Sequence, residues 1–499
     1  DMRLFLDARD IMLNEQLATE LHAKTGGNVE LLNLAANVLQ QAADPQRVID
    51  RLAEAENIGN YLLNEVDQGL NDAERRVMRA LAVLGGLPSR ADAVEAVLDG
   101  DNPRRTLLKL SSRYLVSTQM GVDEQDYAVP AILQAFYYGE LGRRERTAMQ
   151  ARAGAYFAEV EQNYLRAARH YFDAGEVQSA AEVSADHLRA IVNRGQVRGL
   201  RSLLERFASN QLSPMKWALV KVSHGEVCRI LGDHAPVQAS CRGAMSVLDQ
   251  LPATPERQVL YAKACRNLGL ALQYEKPQEA LEWLQRGMAK LEGLPPTAPG
   301  AAPESGLIQL HCGSLQIALG EFDAAREAVE AAIGQLAPQE EFLLASAYRN
   351  LGAIYSYQGD FGEATRYNKL SLAISRRLHD DLNALAVLNN MGIDKEIAGD
   401  WQGAAADYAE AVRLAHQLES VVDQARIGNS LAILNIRRGY FDAAGQALTH
   451  AIGIAREHSI DEGLMYLLHT YAELDLARQD WDAAGQALAE AERLAGDLD

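Results

Sequence analysis

Cysteine is scarce, with 4 residues in a chain of 499. Cys228, Cys241, Cys265 and Cys312 stand far apart with no Cys-x-x-Cys pair. That excludes a disulfide framework and a zinc knuckle, and leaves buried reduced thiols as the expected role. No apolar run approaches the roughly 18 uninterrupted residues that a membrane span requires, and the N-terminus lacks the charged-then-apolar layout of a secretion signal. A cytoplasmic protein without a membrane partner is the expectation. Basic residues fall short of acidic ones, 48 against 68, for a formal charge of -20. A nucleic-acid surface carries the opposite balance, so nucleic acid is not an expected partner through this chain.

Signatures of chemistry are missing as well. There is no Gly-x-x-x-x-Gly-Lys and no Gly-Lys dipeptide, no His-Glu-x-x-His, no Gly-x-Ser-x-Gly elbow and no calcium loop. The acidic pairs Glu340-Glu341 and Asp380-Asp381 fall at helix starts or loops, where carboxylates cap or are solvated. No enzyme activity and no metal are expected of this chain. It opens at Asp1 and runs at once into a polar helix, which leads us to expect a piece of something larger.

What the sequence does contain is a repeat. The stretches from Tyr348 and from Leu388 align without a gap, and Gly320, Gly359, Gly399 and Gly439 share one column at separations of 39, 40 and 40, which Gln479 continues. Two positions later stands an aromatic residue each time: Phe322, Phe361, Trp401, Phe441 and Trp481. Three further on comes Ala325, Ala364, Ala404, Ala444 or Ala484. Seven before the turn is a small residue, Gly313, Gly352, Gly392, Ala432 or Ala472, and Ala332, Ser371, Ala411, Ala451 and Ala491 form a second small column.

Small side chains let two helices approach closely, an aromatic plugs the gap beside the turn, and the turn glycine closes the first helix in a left-handed conformation. Each unit therefore predicts an antiparallel helix pair. Looser units begin at Arg266 and Tyr171, and the segment between them, through Gly195 and Gly232, reads as degenerate pairs. Pro295, Pro296, Pro299 and Pro303 are expected to form a loop inside the array.

These intervals resemble the tetratricopeptide repeat, with the departure that the unit is near 40 residues where that family has about 34. The resemblance implies an all-α superhelical solenoid whose first helices line a concave, ligand-gripping face. On that face, just before the small residue, stand Asn267, Asn350 and Asn390, preceded by Arg266, Arg349 and Asn389, with Asn429 in the last column one repeat on.

In related arrays asparagines here hold the main chain of an extended peptide, since a carboxamide both donates and accepts. Arg266 and Arg349 would add a charge-assisted grip on acidic groups. The other reading is that these residues satisfy neighbouring helix backbones or face water. Tyr274, Tyr355 and Tyr357 are the aromatic candidates for the same face, with core packing as their alternative. Trp401 and Trp481 belong to the turn column and are read as structural. His469 is read as a polar groove residue rather than a metal ligand.

Ahead of the repeats, two helices broken at Gly26-Gly27, with Asn28 to cap the second, resemble the helical lid that follows the nucleotide-binding core in signal-transduction ATPases of the STAND class. Helices after Asn71, after Ser89 and over Arg104–Ser112, then a hairpin ending in Tyr127-Ala128-Val129-Pro130, resemble the winged helix of that class. The order of parts is similar to that of the maltose-operon activator family and large LuxR-type regulators. Val29 and Val129 stand where the class has a proline and a phosphate-sensing histidine. Arg104, Arg105 and Lys109 could read DNA, but a packing role in a hinge is the favoured reading.

The division expected is 1–60 helical lid-like segment, 61–148 winged-helix-like domain, 149–254 degenerate helical repeats, and 255–499 tetratricopeptide repeats. The function implied is a sensor in which a protein, peptide or small-molecule inducer occupies the groove. ATP would enter only through a nucleotide-binding domain outside this chain, and self-association would accompany activation. Output would be transcription, or an antiviral or other conflict response. Two alternatives stand beside it: a plain scaffold without a switch, and the effector-binding part of a LuxR-type activator.

Overall fold

The computed structural model describes the backbone of all residues except 1, 8, 10, 43, 56, 122, 123, 274, 296, 336–340, 459 and 499. The chain forms two compact units, Asp1–Ala180 and Ala181–Asp499.

In the first unit, helices Glu15–Thr25 and Val29–Gln41 meet at Gly26 and Gly27, both left-handed, and the Asn28 side-chain oxygen accepts from the amides of Glu30 and Leu31 at 2.9 and 3.2 Å. Asn71 and Glu74 cap helix Asp72–Val83 reciprocally. Helices Ala91–Val97 and Arg104–Ser112 follow, as the sequence predicts.

Three strands complete this layout: β1 (Ser89–Arg90), β2 (Ser117–Met120) and β3 (Gln125–Ala128), antiparallel in the order β1-β3-β2 with Tyr127 opposite both Ser89 and Thr118. The sequence showed only the hairpin, because two residues are too short to display an alternating pattern. Three helices and a small sheet in this order are consistent with a winged helix. Arg104 is tied to Asp92 at 2.9 Å and Lys109 to Glu74 at 2.6 Å, so both cations are matched within the unit.

Among the described residues the second unit opens with short helices Leu188–Asn193 and Val197–Glu205 and continues as seven helix pairs. Pair 1 is Pro214–Ile230 with His234–Leu248, pair 2 Pro255–Leu272 with Pro277–Leu291, and pair 3 Ala301–Ala318 with Phe322–Gln335. Pair 4 is Glu341–Tyr357 with Phe361–Leu378, and pair 5 Asp381–Ile397 with Trp401–Gln417. Pair 6 is Val421–Arg437 with Phe441–Glu457, and pair 7 Asp461–Ala477 with Trp481–Leu498. Each first helix touches the first helix of the next pair.

The repeat columns explain this stacking. The turn glycines 320, 359, 399 and 439 have φ between 76 and 82°, and Gln479 adopts the same left-handed turn at 66°. Both small columns are buried, and a side chain at Gly392 would run into the Tyr408 ring, one at Gly352 into Asn368. Two expectations need correction. Pro303 lies in the first turn of helix Ala301–Ala318, where its missing N–H has no helical partner to lose, rather than in the preceding loop. The aromatic column is also less enclosed than expected: Phe322 stacks on Tyr357 at 5.5 Å, whereas Trp401 and Trp481 are exposed. Among the described residues no helix is long and apolar enough to cross a membrane.

Candidate binding groove

Because first helices lie side by side, columns on those helices form the inner face of the second unit. The structure separates the expected groove residues into two groups. Asn267 is fully buried and donates its side-chain N–H to the Val222 carbonyl at 3.3 Å, and Asn350, 3% exposed, donates to the Leu310 carbonyl at 2.7 Å. In each case the acceptor belongs to the first helix of the preceding pair. These carboxamides thus pin adjacent first helices together.

Arg266, 5% exposed, also joins helices: its Nε lies 2.7 Å from Glu304 and an Nη 3.6 Å from Glu226, linking pairs 1, 2 and 3. Burial opposes its charge, but the two carboxylates hold its pKa above the ordinary value.

The Asn267 side-chain oxygen has no hydrogen-bond partner of its own, and the other group has capacity left over as well. Arg349 is half-buried and donates to the carboxamide oxygens of Asn383 at 2.8 Å and Asn350 at 3.5 Å. Burial, with Arg189 and Arg426 nearby, pushes its pKa down to about 10 despite Asp380 and Asp423. One and two repeats along the same column, Asn389 and Asn429 each keep a buried side-chain oxygen that has no hydrogen-bond partner. Asn390 is half-buried beside Asn389. His311, on pair 3, is held well below its usual pKa by burial and by Arg266, Arg229, Arg349 and Arg189, so it is neutral.

Tyr274 lies outside the described residues. Tyr355 stacks on Tyr367 within its own pair at 5.6 Å, Tyr357 faces outward on Phe322, and His469 is exposed beside Glu473.

Sequence reasoning missed the residues that complete this face. Arg189 binds the buried carboxylate of Asp380, Asn193 donates to the His379 carbonyl at 2.7 Å, and Arg198 lies 3.5 Å from Glu419. The short helices 188–205 therefore meet the turns that join pair 4 to pair 5 and pair 5 to pair 6. Gly195 makes this possible, since a side chain there would strike the Gln417 carbonyl. The first two pairs of partners are 191 and 186 residues apart and the third lies further still, so no local spacing signals them.

A cavity of about 190 Å³ in the first unit, between Leu84, Gln134, Gln150, Arg166 and His170, is not a comparable site. Arg166 is bound there by the carbonyls of Leu84 and Pro88 and by the Ser89 hydroxyl, and His170 by Gln150 at 2.6 Å. The thiols are buried or half-buried and raised to about 11 or 12 by burial, and no group of side chains suited to a metal occurs among the described residues.

Residues 343–417 match the tetratricopeptide repeat family model. No curated protein matches the chain. Among solved structures, a Rap protein complexed with competence and sporulation factor is similar at 14% identity and a TM-score of 0.50, covering 71% of this chain and 94% of that one. A STAND protein with a tetratricopeptide repeat sensor from Pyrococcus horikoshii is similar at 16% identity and a TM-score of 0.37, over 93% of this chain and 74% of that one. The Rap conjugation gene regulator of plasmid pLS20, in complex with the Phr* peptide, is similar at 12% and 0.44, over 78% and 98%. At such identities the likeness is one of fold, and only the first score is high enough to bear on it. The second unit is a tetratricopeptide-type solenoid of helix pairs.

Proposed function

We propose that the inner face of the second unit grips an extended protein or peptide segment, and that the chain is the sensor part of a STAND-type signalling ATPase. The observation that carries the first half is the column Arg349, Asn389, Asn429, one residue on each of three successive first helices, with unused acceptors on the two asparagines. Packed helices lie about 8–10 Å apart, and an extended chain rises roughly 3.3 Å per residue. One rung of this ladder thus serves about three ligand residues, a spacing that suits an extended segment better than a small inducer.

The second half rests on order: a lid-like helix pair and a winged-helix layout precede the solenoid. A ligand moves such a switch only by preferring one domain arrangement, since equal affinity for both shifts nothing. ATP would be bound by a nucleotide-binding domain outside this chain, with self-association on activation and transcription or a conflict response as output. Val29 and Val129 favour a second reading, a scaffold without a switch.

Two measurements separate these. Selection from a random peptide library on the whole chain is expected to enrich segments whose capture is lost in the Asn389→Leu, Asn429→Leu double variant; unchanged capture removes the groove assignment. A phosphate-binding loop encoded upstream of Asp1 is expected for the switch, and a complete gene without one leaves only the scaffold.

A further inference from the structure

In an array of helix pairs each element ordinarily touches only its neighbours in sequence. The seams between pairs are apolar: Leu388, Tyr408, Leu414, Ile427 and Leu434 share one core across pairs 5 and 6, and Leu448, Ile452, Leu464 and Leu467 another across pairs 6 and 7. Helices 188–205 depart from this pattern. Arg189 binds Asp380, Asn193 donates to the His379 carbonyl at 2.7 Å, and Arg198 lies 3.5 Å from Glu419. One short segment thus holds two turns that stand one repeat apart.

This contact differs in kind from the seams, because it is polar and incompletely satisfied. Arg189 Nε, Asn193 Oδ1, Gln196 Oε1, Asp380 Oδ2 and Glu419 Oε2 are buried side-chain atoms with no hydrogen-bond partner. Gly195 comes so close that a side chain there would strike the Gln417 carbonyl, and beyond it the turn at Gly232 abuts Val422, Val421 and Ile460. A buried polar atom without a partner carries a desolvation cost that water removes when the contact parts. An apolar seam has the opposite balance, since parting it exposes hydrocarbon. The polar contact is therefore the part of the second unit that can release while the pairs stay stacked.

We propose that helices 188–205 are a releasable latch. Closed, it fixes the spacing of the turns that lead into pairs 5 and 6, and with it the curvature of pairs 4 to 6; open, it frees both turns together. The curvature of a solenoid is the sum of small rotations between repeats. A change of angle among pairs 4, 5 and 6 therefore moves His379 relative to Glu419, and a segment bound to both cannot follow. The latch helices come soon after the boundary at Ala181, so the curvature of pairs 4 to 6 is registered where the second unit begins. The latch stands on these contacts alone, whatever the inner face binds.

Native-state hydrogen exchange of the whole chain in low concentrations of urea is the first test. The amides of His379, Asp380, Glu419 and Ser420 are hydrogen-bonded and report on the two turns. They are expected to share one opening step with 188–205, at a lower free energy and with a weaker urea dependence than the helices of pairs 5 and 6. Opening of 188–205 only together with those helices overturns the latch.

The second test asks whether the two turns are coupled. Arg189 meets the first turn at Asp380, whereas Arg198 meets the second at Glu419. Arg189→Gln is expected to speed exchange about tenfold at 188–205 and at Glu419 and Ser420 alike, with pair 7 unchanged. Asn193→Ala leaves no charge unpaired, so it tests the same coupling should the first variant fail to fold, and is expected to act in the same direction by about fivefold. In either variant, faster exchange at His379 and Asp380 with Glu419 and Ser420 unmoved is the result of two independent contacts and overturns the latch.

Discussion

Gly392 shows how much a single position can decide. An alanine in a helix interior is ordinarily better than glycine by about 1 kcal/mol, but here its methyl would enter the Tyr408 ring, whose hydroxyl donates to Glu396 at 3.1 Å. Overpacking costs about 1–3 kcal/mol, and moving the ring also breaks a buried hydrogen bond. We expect Gly392→Ala to destabilise the second unit by about 1–3 kcal/mol in urea unfolding of the whole chain; a gain in stability would show that the ring relaxes freely.

His170, in the first unit, gives a pH test. Burial, then Arg166 and Arg169, push its pKa from 6.5 down to about 3, so between those values the unfolded chain binds a proton that the folded one does not. Its contribution to stability is complete above pH 6.5 and is lost as pH falls towards 3, with a slope approaching about 1.4 kcal/mol per unit. His170→Gln is expected to flatten that slope, read from urea midpoints between pH 6.5 and 4; an unchanged slope contradicts the assignment.

At this scale the small columns and the turn at Gln479 were legible, because they repeat. The division among the groove asparagines was not. Asn350 and Asn389 look alike in sequence, and what separates them is whether a carbonyl of the preceding helix lies within reach.

Elements that recur every 40 residues announce themselves, and the helix pairs from Gly313 onward follow from the glycine, aromatic and alanine columns alone. Elements that do not recur were harder to see. Strand β1 has two residues, and helix Leu188–Asn193 has six, yet the latter carries the arginine that neutralises Asp380.

The contact of helices 188–205 with the turns at His379 and Glu419 closes the second unit on itself, and those two turn residues are both left-handed without being glycine. Gly195→Ala adds a methyl against the Gln417 carbonyl in a residue at φ 69°, which alanine adopts at a cost. The expected result is local opening, read as faster amide hydrogen exchange at 188–205 and at the two turns, with pair 7 unchanged. Exchange unaltered at both turns would mean that the contact does not hold them.

The net charge of -20 coexists, in the second unit, with five arginines near His311 and the start of pair 5, most of them beside carboxylates. That gathering is invisible in a net charge of -20, because the five arginines are scattered along the chain, no more than one to a pair.

The most direct test of this account is hydrogen exchange of the whole chain with and without a peptide selected on it. Protection is expected along the first helices Glu341–Tyr357, Asp381–Ile397 and Val421–Arg437, and little on the second helices of the same pairs. Protection confined to the second helices, or to the first unit, would contradict the claim that the stacked first helices are the binding surface.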